Sequence, residues 1–141
     1  MKVNELWVAF ADSKLTSSVS LHHLDDSSMI KVDIGGIIDE NSAFVTNVIL
    51  AAMDSGHHDY CLLDVKNLIF VDGISVNEFA IECLVKLTGF AMNRDMKAFL
   101  VVDNSYVREV MANILRRHRG FSKLAIQSSA DFMDSDLAHK V

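Results

Sequence analysis

Proline is absent from the 141 residues, and with it any Pro-rich linker. No internal repeat or low-complexity stretch divides the chain either. One continuous domain is expected, long enough to bury a core without disulfides or metal. Cysteine occurs only twice, at Cys61 and Cys83, each inside an apolar run where a free thiol behaves as a small buried hydrophobe. Two such positions make no disulfide framework, which points to a reducing compartment. No apolar run is long enough to span a bilayer, because the most apolar helix-like stretch is broken by Glu82 and Lys86. The opening Met1-Lys2-Val3-Asn4-Glu5 lacks the apolar core of a signal peptide. The expected location is cytoplasmic, without membrane insertion.

Positive charge is also scarce. Thirteen Lys and Arg face nineteen Asp and Glu, a formal net charge of −6, and this argues against nonspecific nucleic-acid binding, which rests on neutralising phosphates with cations. The one basic cluster, Arg116-Arg117-His118-Arg119, is expected to close a helix just before Gly120, where cations complement the dipole and satisfy terminal carbonyls. A docking patch for an acidic partner is its other reading. Phosphate-binding loops are missing: Gly35-Gly36 has neither the spacing of a dinucleotide fingerprint nor the Lys-Ser/Thr of a P-loop. No Ser, Cys or Thr nucleophile has a His base in local support, and no carboxylate pair sits on a recognisable loop. His22-His23 and His57-His58 lack a third ligand at metal-binding spacing, so they are expected to be solvated turn or strand-edge residues. Together these gaps lead to the expectation of a protein that is not an enzyme and needs no cofactor or metal.

What is present reads as a compact domain, since half the residues are hydrophobic and 23% charged, which disfavours disorder. Val19 and Leu21, then Ile30, Val32 and Ile34, alternate with polar neighbours around Asp25-Asp26-Ser27-Ser28, as in a hairpin with one buried face. Gly35-Gly36 should loosen the second strand. Asp39-Glu40-Asn41-Ser42 offers N-caps for a helix to about Asp54, with Phe44, Val45, Val48, Ile49 and Ala52 on one face and Gly56 as a stop. Tyr60 to Val65 is a nearly continuous apolar run, expected as a central strand. A long helix begins after Asp72, its inner face traced by Val76, Phe79, Ala80, Cys83, Leu84, Leu87 and Ala91. Ala98 to Val102 should be a second buried strand. Asp103-Asn104-Ser105 caps a helix whose stripe is Val107, Val110, Met111, Ile114 and Leu115. Leu124-Ala125-Ile126 makes a last short strand, and Ser128-Ser129 opens a final helix with Phe132 and Leu137. Met92, Met96 and Met111 fit either an adaptable binding face or the core.

This order predicts an α/β fold: a mixed β-sheet with crossover helices, right-handed where strands run parallel. Residues 17–141 form the domain, and residues 1–16 a short N-terminal extension packed on it. Leu6, Val8 and Phe10 would suit an edge strand, with Trp7 on the opposite face.

The segment from Asp64 to Phe79 resembles the central signature of the STAS family, the anti-sigma-factor-antagonist domains. Asp64, Leu68, Phe70, Val71, Asp72, Val76 and Phe79 fit that signature in register, and Gly36-Ile37-Ile38-Asp39 looks like the family's Gly-x-x-Asp approach to its first helix. The resemblance covers roughly residues 18 to 133. It implies a STAS-like domain that works by protein-protein interaction in signalling and transcription regulation, docking a regulatory protein such as an anti-sigma factor or kinase. Carried onto this chain, the docking face comprises Asp72, Gly73, Ile74, Ser75, Glu78 and Asp39. In the family a kinase phosphorylates a Ser just after the Asp, where helix N–H groups receive the phosphate and an added charge of about −1.5 to −2 alters the surface. Gly73 and Ile74 occupy those Ser positions here, and Ser75 falls where the family has Gly. Switching at the usual Ser is therefore not expected, and Ser75 is the candidate phosphosite. The alternative expectation is a self-associating scaffold, a homodimer or a subunit of a stress complex or transport machine.

Overall fold

The computed structural model describes residues 3–8, 17–24, 28–38, 45–70 and 74–134, and for 3–8, 17–24, 45 and 74–77 it describes the backbone alone. The elements are β1 (Val3–Val8), β2 (Ser17–Leu24), β3 (Met29–Gly36), α1 (Val45–Asp54), β4 (Tyr60–Asp64), α2 (Ile74–Asn93), β5 (Lys97–Val101), α3 (Ser105–Leu115), a single 3-10 turn at Phe121–Lys123, β6 (Leu124–Gln127) and α4 (Ser129–Met133). The chain is thus α/β, as its hydrophobic periodicity predicts.

All six strands lie in one sheet in the order of the sequence. β1 and β2 pair antiparallel, β2 and β3 form the expected hairpin, and β3 to β6 run parallel. Val3–Val8 is therefore an outer strand of the sheet; Phe10 lies outside the described residues. Ser28, at a φ of 49°, turns the hairpin into β3.

Sequential order among parallel strands has a geometric consequence. Each right-handed crossover from one strand to the next passes over the same face, so α1, α2 and α3 form a single layer with α2 in the middle. The strands show this in their alternation. Ile30, Val32 and Ile34 of β3, Cys61 and Leu63 of β4, and Ala98 and Leu100 of β5 point into the main core, where they meet Ile49 and Met53 of α1, Leu84 and Leu87 of α2, and Met111 of α3. Burying each Val, Leu, Ile or Met side chain among these contributes about 1.5–3 kcal/mol. The intervening residues Met29, Leu62, Phe99 and Val101 line the opposite face, where Phe132 of α4 packs with them. Phe132 meets Phe99 edge-on with ring centroids 6.3 Å apart, the arrangement aromatic quadrupoles favour.

The helix boundaries have local causes. Asn104 caps α3, its side-chain oxygen accepting from the Val107 N–H at 3.1 Å, and Ser128 caps α4 through the Asp131 N–H at 3.2 Å. Thr88, buried within α2, satisfies its hydroxyl on the Leu84 carbonyl at 2.7 Å. Among the described residues no helix is long and apolar enough to cross a membrane.

Several expectations are corrected. β3 does not loosen at Gly35-Gly36 but continues through both glycines. Ile114 does not share the buried stripe of α3 and stands 48% exposed. Because α3 is the last helix of its layer among the described residues, with a helical neighbour there on one side only, its inward sector narrows to Val107, Met111 and Leu115. The basic cluster follows the last turn of α3, with Arg116 as the C-cap, but its arginines do not satisfy the terminal carbonyl as expected. The helix ends at Leu115, and the Leu115 carbonyl is satisfied by the His118 N–H at 2.9 Å rather than by an arginine. His58 is buried, not solvated, whereas His57 is exposed and 3.4 Å from the Asp59 carboxylate. Met92, Met96 and Met111 all belong to the core, which excludes them from a binding face. Phe44, Asp25 to Ser27, Asp39 to Ser42 and Leu137 lie outside the described residues.

Candidate functional site

The parallel strands end together on one side of the sheet, and the segment between β4 and α2 lies there. β4 stops at Asp64, so the strand does not run up to Asp72; a connection of its own leads to α2. Its first residues form a tight turn. Asp64, at the strand end, accepts the Lys66 backbone N–H at 3.2 Å and sits 3.6 Å from the Lys66 ammonium, the side-chain turn that aspartate favours at such positions. The Leu68 N–H closes on the Val65 carbonyl at 3.0 Å, and the Val65 N–H reaches the Val101 carbonyl at 2.9 Å.

Beyond this turn the chain folds against the end of β3. Gly36 donates to the Asn67 carbonyl at 3.1 Å and accepts the Ile69 N–H at 2.7 Å, pairing in parallel with Leu68. Gly36 has a φ of 83°, a left-handed conformation that glycine adopts without the Cβ penalty other residues meet. This clasp explains why β3 continues through both glycines. Within the clasped segment Leu68 is buried, Ile69 is 51% exposed and Phe70 is half-buried against the core. A residue-by-residue alternation thus sends two apolar side chains inward and leaves one large one outside. Period-two reading of Leu68-Ile69-Phe70 carries that signal, which reading the stretch only as a family signature misses.

Of the residues expected to form the docking face, Ile74 and Ser75 lie in the first turn of α2, and Glu78 is exposed one turn further on. Asp39, Asp72 and Gly73 lie outside the described residues. Through Gly36 the structure brings the end of β3, which leads toward Asp39, beside the connection that leads to α2.

A second polar group at the same side of the sheet was not anticipated. Asp103, just after β5, accepts the Ser129 N–H at 2.7 Å and the Ser129 hydroxyl at 2.8 and 2.9 Å on its two oxygens. The Ser129 N–H, then its hydroxyl, with smaller help from Arg108 and Lys66, hold this exposed carboxyl below the usual aspartate range. Asp103 does not cap α3, although its place before the helix predicts a cap; its partner is instead the first turn of α4. Arg108 turns inward to the Val102 carbonyl at 2.7 Å.

The remaining chemistry is spare. The Cys61 and Cys83 thiols are buried in the core, and burial pushes both up, Cys61 to about 12; thiols held protonated are poor nucleophiles. Among the described residues no cluster of three or more His, Cys, Asp or Glu could hold a metal ion. A recess of about 310 Å³ lies at the opposite ends of the strands, lined by Asp59, Tyr60, Asp95, Lys97, Ser122 and Lys123, where Lys123 sits 3.4 Å from Asp95. Doubly wound sheets open a ligand crevice where neighbouring connections leave to opposite faces. Here the connections from β3, β4 and β5 to α1, α2 and α3 share one face, and only the chain leaving β6 for α4 turns to the other, so the one such divide among the described residues falls between β5 and β6, beside Asp103 and Ser129.

Compared with known proteins, the chain matches no family model, no curated protein and no solved structure.

Proposed function

We infer that the chain is a non-catalytic protein-binding signalling module resembling an anti-sigma-factor antagonist, acting in the cytoplasm on a regulatory protein such as an anti-sigma factor or kinase. The docking face comprises Asp72, Gly73, Ile74, Ser75, Glu78 and Asp39. The supporting observation is the Gly36 clasp, which fixes the segment leading into α2 against the end of β3 and leaves Ile69 exposed there. An exposed large apolar side chain at this position suits a contact that buries it. With Gly73 and Ile74 at the family's Ser positions, the module is not switched by phosphorylation there.

Affinity capture with the full chain tests this reading, comparing the natural sequence with Ile74→Asp and Ile69→Asp. A partner recovered by the natural chain should be lost with either substitution, while circular dichroism stays unchanged. Recovery of the same partner by all three proteins would sink the proposal.

A second reading, the self-associating scaffold, has support in one observation: β1 is an outer strand of the sheet, and outer strands present unpaired backbone groups for another chain to meet. Light scattering decides it, since a mass of one chain at high concentration rules out the homodimer.

A further inference from the structure

We propose that the outward face of α3, together with the arginine turn that follows it, is a docking surface for an amphipathic acidic segment of another protein, separate from the β4–α2 side. Tyr106, Val110 and Ile114 are spaced by four residues and therefore share one face of the helix. Tyr106 is 70% exposed and Ile114 48%, and Val110 between them is half-buried. This stripe flanks the buried one of Val107, Met111 and Leu115, so α3 carries apolar residues over a wider arc than the core covers.

Charge lies at one end of the stripe. Arg117 falls one turn after Ile114 and, like Arg119, is exposed. Neither forms a hydrogen bond or ion pair among the described residues, whereas Arg94 pairs with Asp54 and Lys123 with Asp95. Arg116 reaches only the Asn113 side-chain oxygen, at 2.7 Å. In a chain of net charge −6, this is a local concentration of uncompensated cations.

The turn presenting them is braced. His118 accepts the Gly120 N–H on Nδ1 at 3.0 Å and meets the Asn93 side-chain oxygen through Nε2 at 2.9 Å. Accepting on Nδ1 leaves Nε2 to carry the proton and donate to Asn93. Gly120 itself approaches Met92 so closely that a Cβ there would lie 2.9 Å from the Met92 Cβ. The arginines therefore stand on a backbone anchored to the end of α2, and less order is lost on binding than for a free loop.

Apolar anchors in a row with cations at one end fit a helix or extended segment bearing apolar side chains and, at one end, acids. Glu109 is the one acid of α3 and lies in its other half, so the polarity also sets the direction of the bound segment. Nucleic acid fits less well, because backbone recognition needs a broad positive field and the acids of this chain outnumber its Lys and Arg.

The test uses the full chain labelled with ¹⁵N and three synthetic amphipathic helical peptides of one composition class: apolar positions at four-residue spacing with a terminal Glu cluster, the same with a Lys cluster, and a scrambled Glu form. The Glu peptide should shift amides between residues 106 and 119, weaken with added salt, and lose about tenfold in affinity for Arg117→Glu/Arg119→Glu and for Ile114→Asp. The Lys and scrambled peptides should bind at least about tenfold more weakly. Four outcomes overturn the proposal: shifts confined to other residues, equal binding of the Glu and Lys peptides, tighter binding of a single-stranded oligonucleotide at the same arginines, or concentration-dependent shifts there without peptide, which would mark a contact between copies. All substituted side chains are exposed, and thermal melts confirm that each variant is folded.

Discussion

Gly89 and Gly120 subject one chemical change, the addition of a methyl group, to two environments. At Gly120 the backbone is at φ −85° and ψ 5°, open to alanine, so no conformational strain arises. The cost is contact: a Cβ would lie 2.9 Å from the Met92 Cβ, 3.3 Å from His118 Nδ1 and 3.4 Å from the Met92 carbonyl oxygen. The Met92 Cβ belongs to the root of a helical residue and cannot swing aside as a side-chain tip would. Either the end of α2 or the arginine turn must shift. Overpacking of this kind costs about 1–3 kcal/mol, offset by about 0.4–1 kcal/mol from the reduced freedom of the unfolded chain. Gly120→Ala should therefore destabilise by about 1–2 kcal/mol. At Gly89, inside α2, an added Cβ meets nothing within 4 Å, and Gly89→Ala should stabilise by about 0.5–1 kcal/mol through helix propensity. With a urea slope of about 1.5–2 kcal/mol/M, the midpoint should fall by about 0.5–1 M in the first variant and rise by about 0.4 M in the second. Unchanged slopes would show that both substitutions alter stability and not the surface exposed on unfolding. A Gly120→Ala midpoint at or above that of the natural protein would refute the close approach of the turn to α2, and with it the bracing of Arg116 to Arg119.

Removing the α3 cap by Asn104→Ala should cost about 1 kcal/mol in the same urea assay. Cys61 and Cys83 should both resist Ellman's reagent at pH 8 until the protein unfolds, and react together in denaturant. Because burial raises the Cys61 thiol to about 12 while an unfolded cysteine ionises near about 8.5, its contribution is complete below the unfolded value and is lost as pH rises toward 12. The urea midpoint should therefore decline from pH 8 to pH 10, less so in Cys61→Ala measured against its own neutral value. For Asp103 the sign is opposite. Its carboxyl is depressed by Ser129, so its contribution holds above the usual aspartate value and fades as pH falls through the folded one. The Ser129 amide resonance should titrate with a midpoint below the usual aspartate range, and a midpoint at or above that range would contradict the geometry.

Elements with a strong period were legible because burial imposes that period on any chain. The hairpin of Val19, Leu21, Ile30, Val32 and Ile34, the apolar run of β4, the inner face of α2 and the Asn104 cap all follow from local spacing and local hydrogen bonding. The basic turn and the Ile114 stripe were visible as residues, but not as surface. Whether Ile114 faces the core depends on whether a helix packs beyond α3, and whether Arg117 finds an acid depends on side chains remote in sequence. His58 and the Asp103–Ser129 contact have the same character, the latter joining residues 26 apart.

By itself the sequence determined the α/β class, the succession of elements, the burial of both thiols and the scarcity of positive charge. These properties depend on composition and on neighbours within a few residues. Tertiary structure alone decided that every parallel connection crosses one face, that Gly36 clasps the segment leading to α2, and that α3 presents an apolar stripe and exposed arginines outside the core. Each of these is a long-range pairing, set by which elements the sheet places side by side.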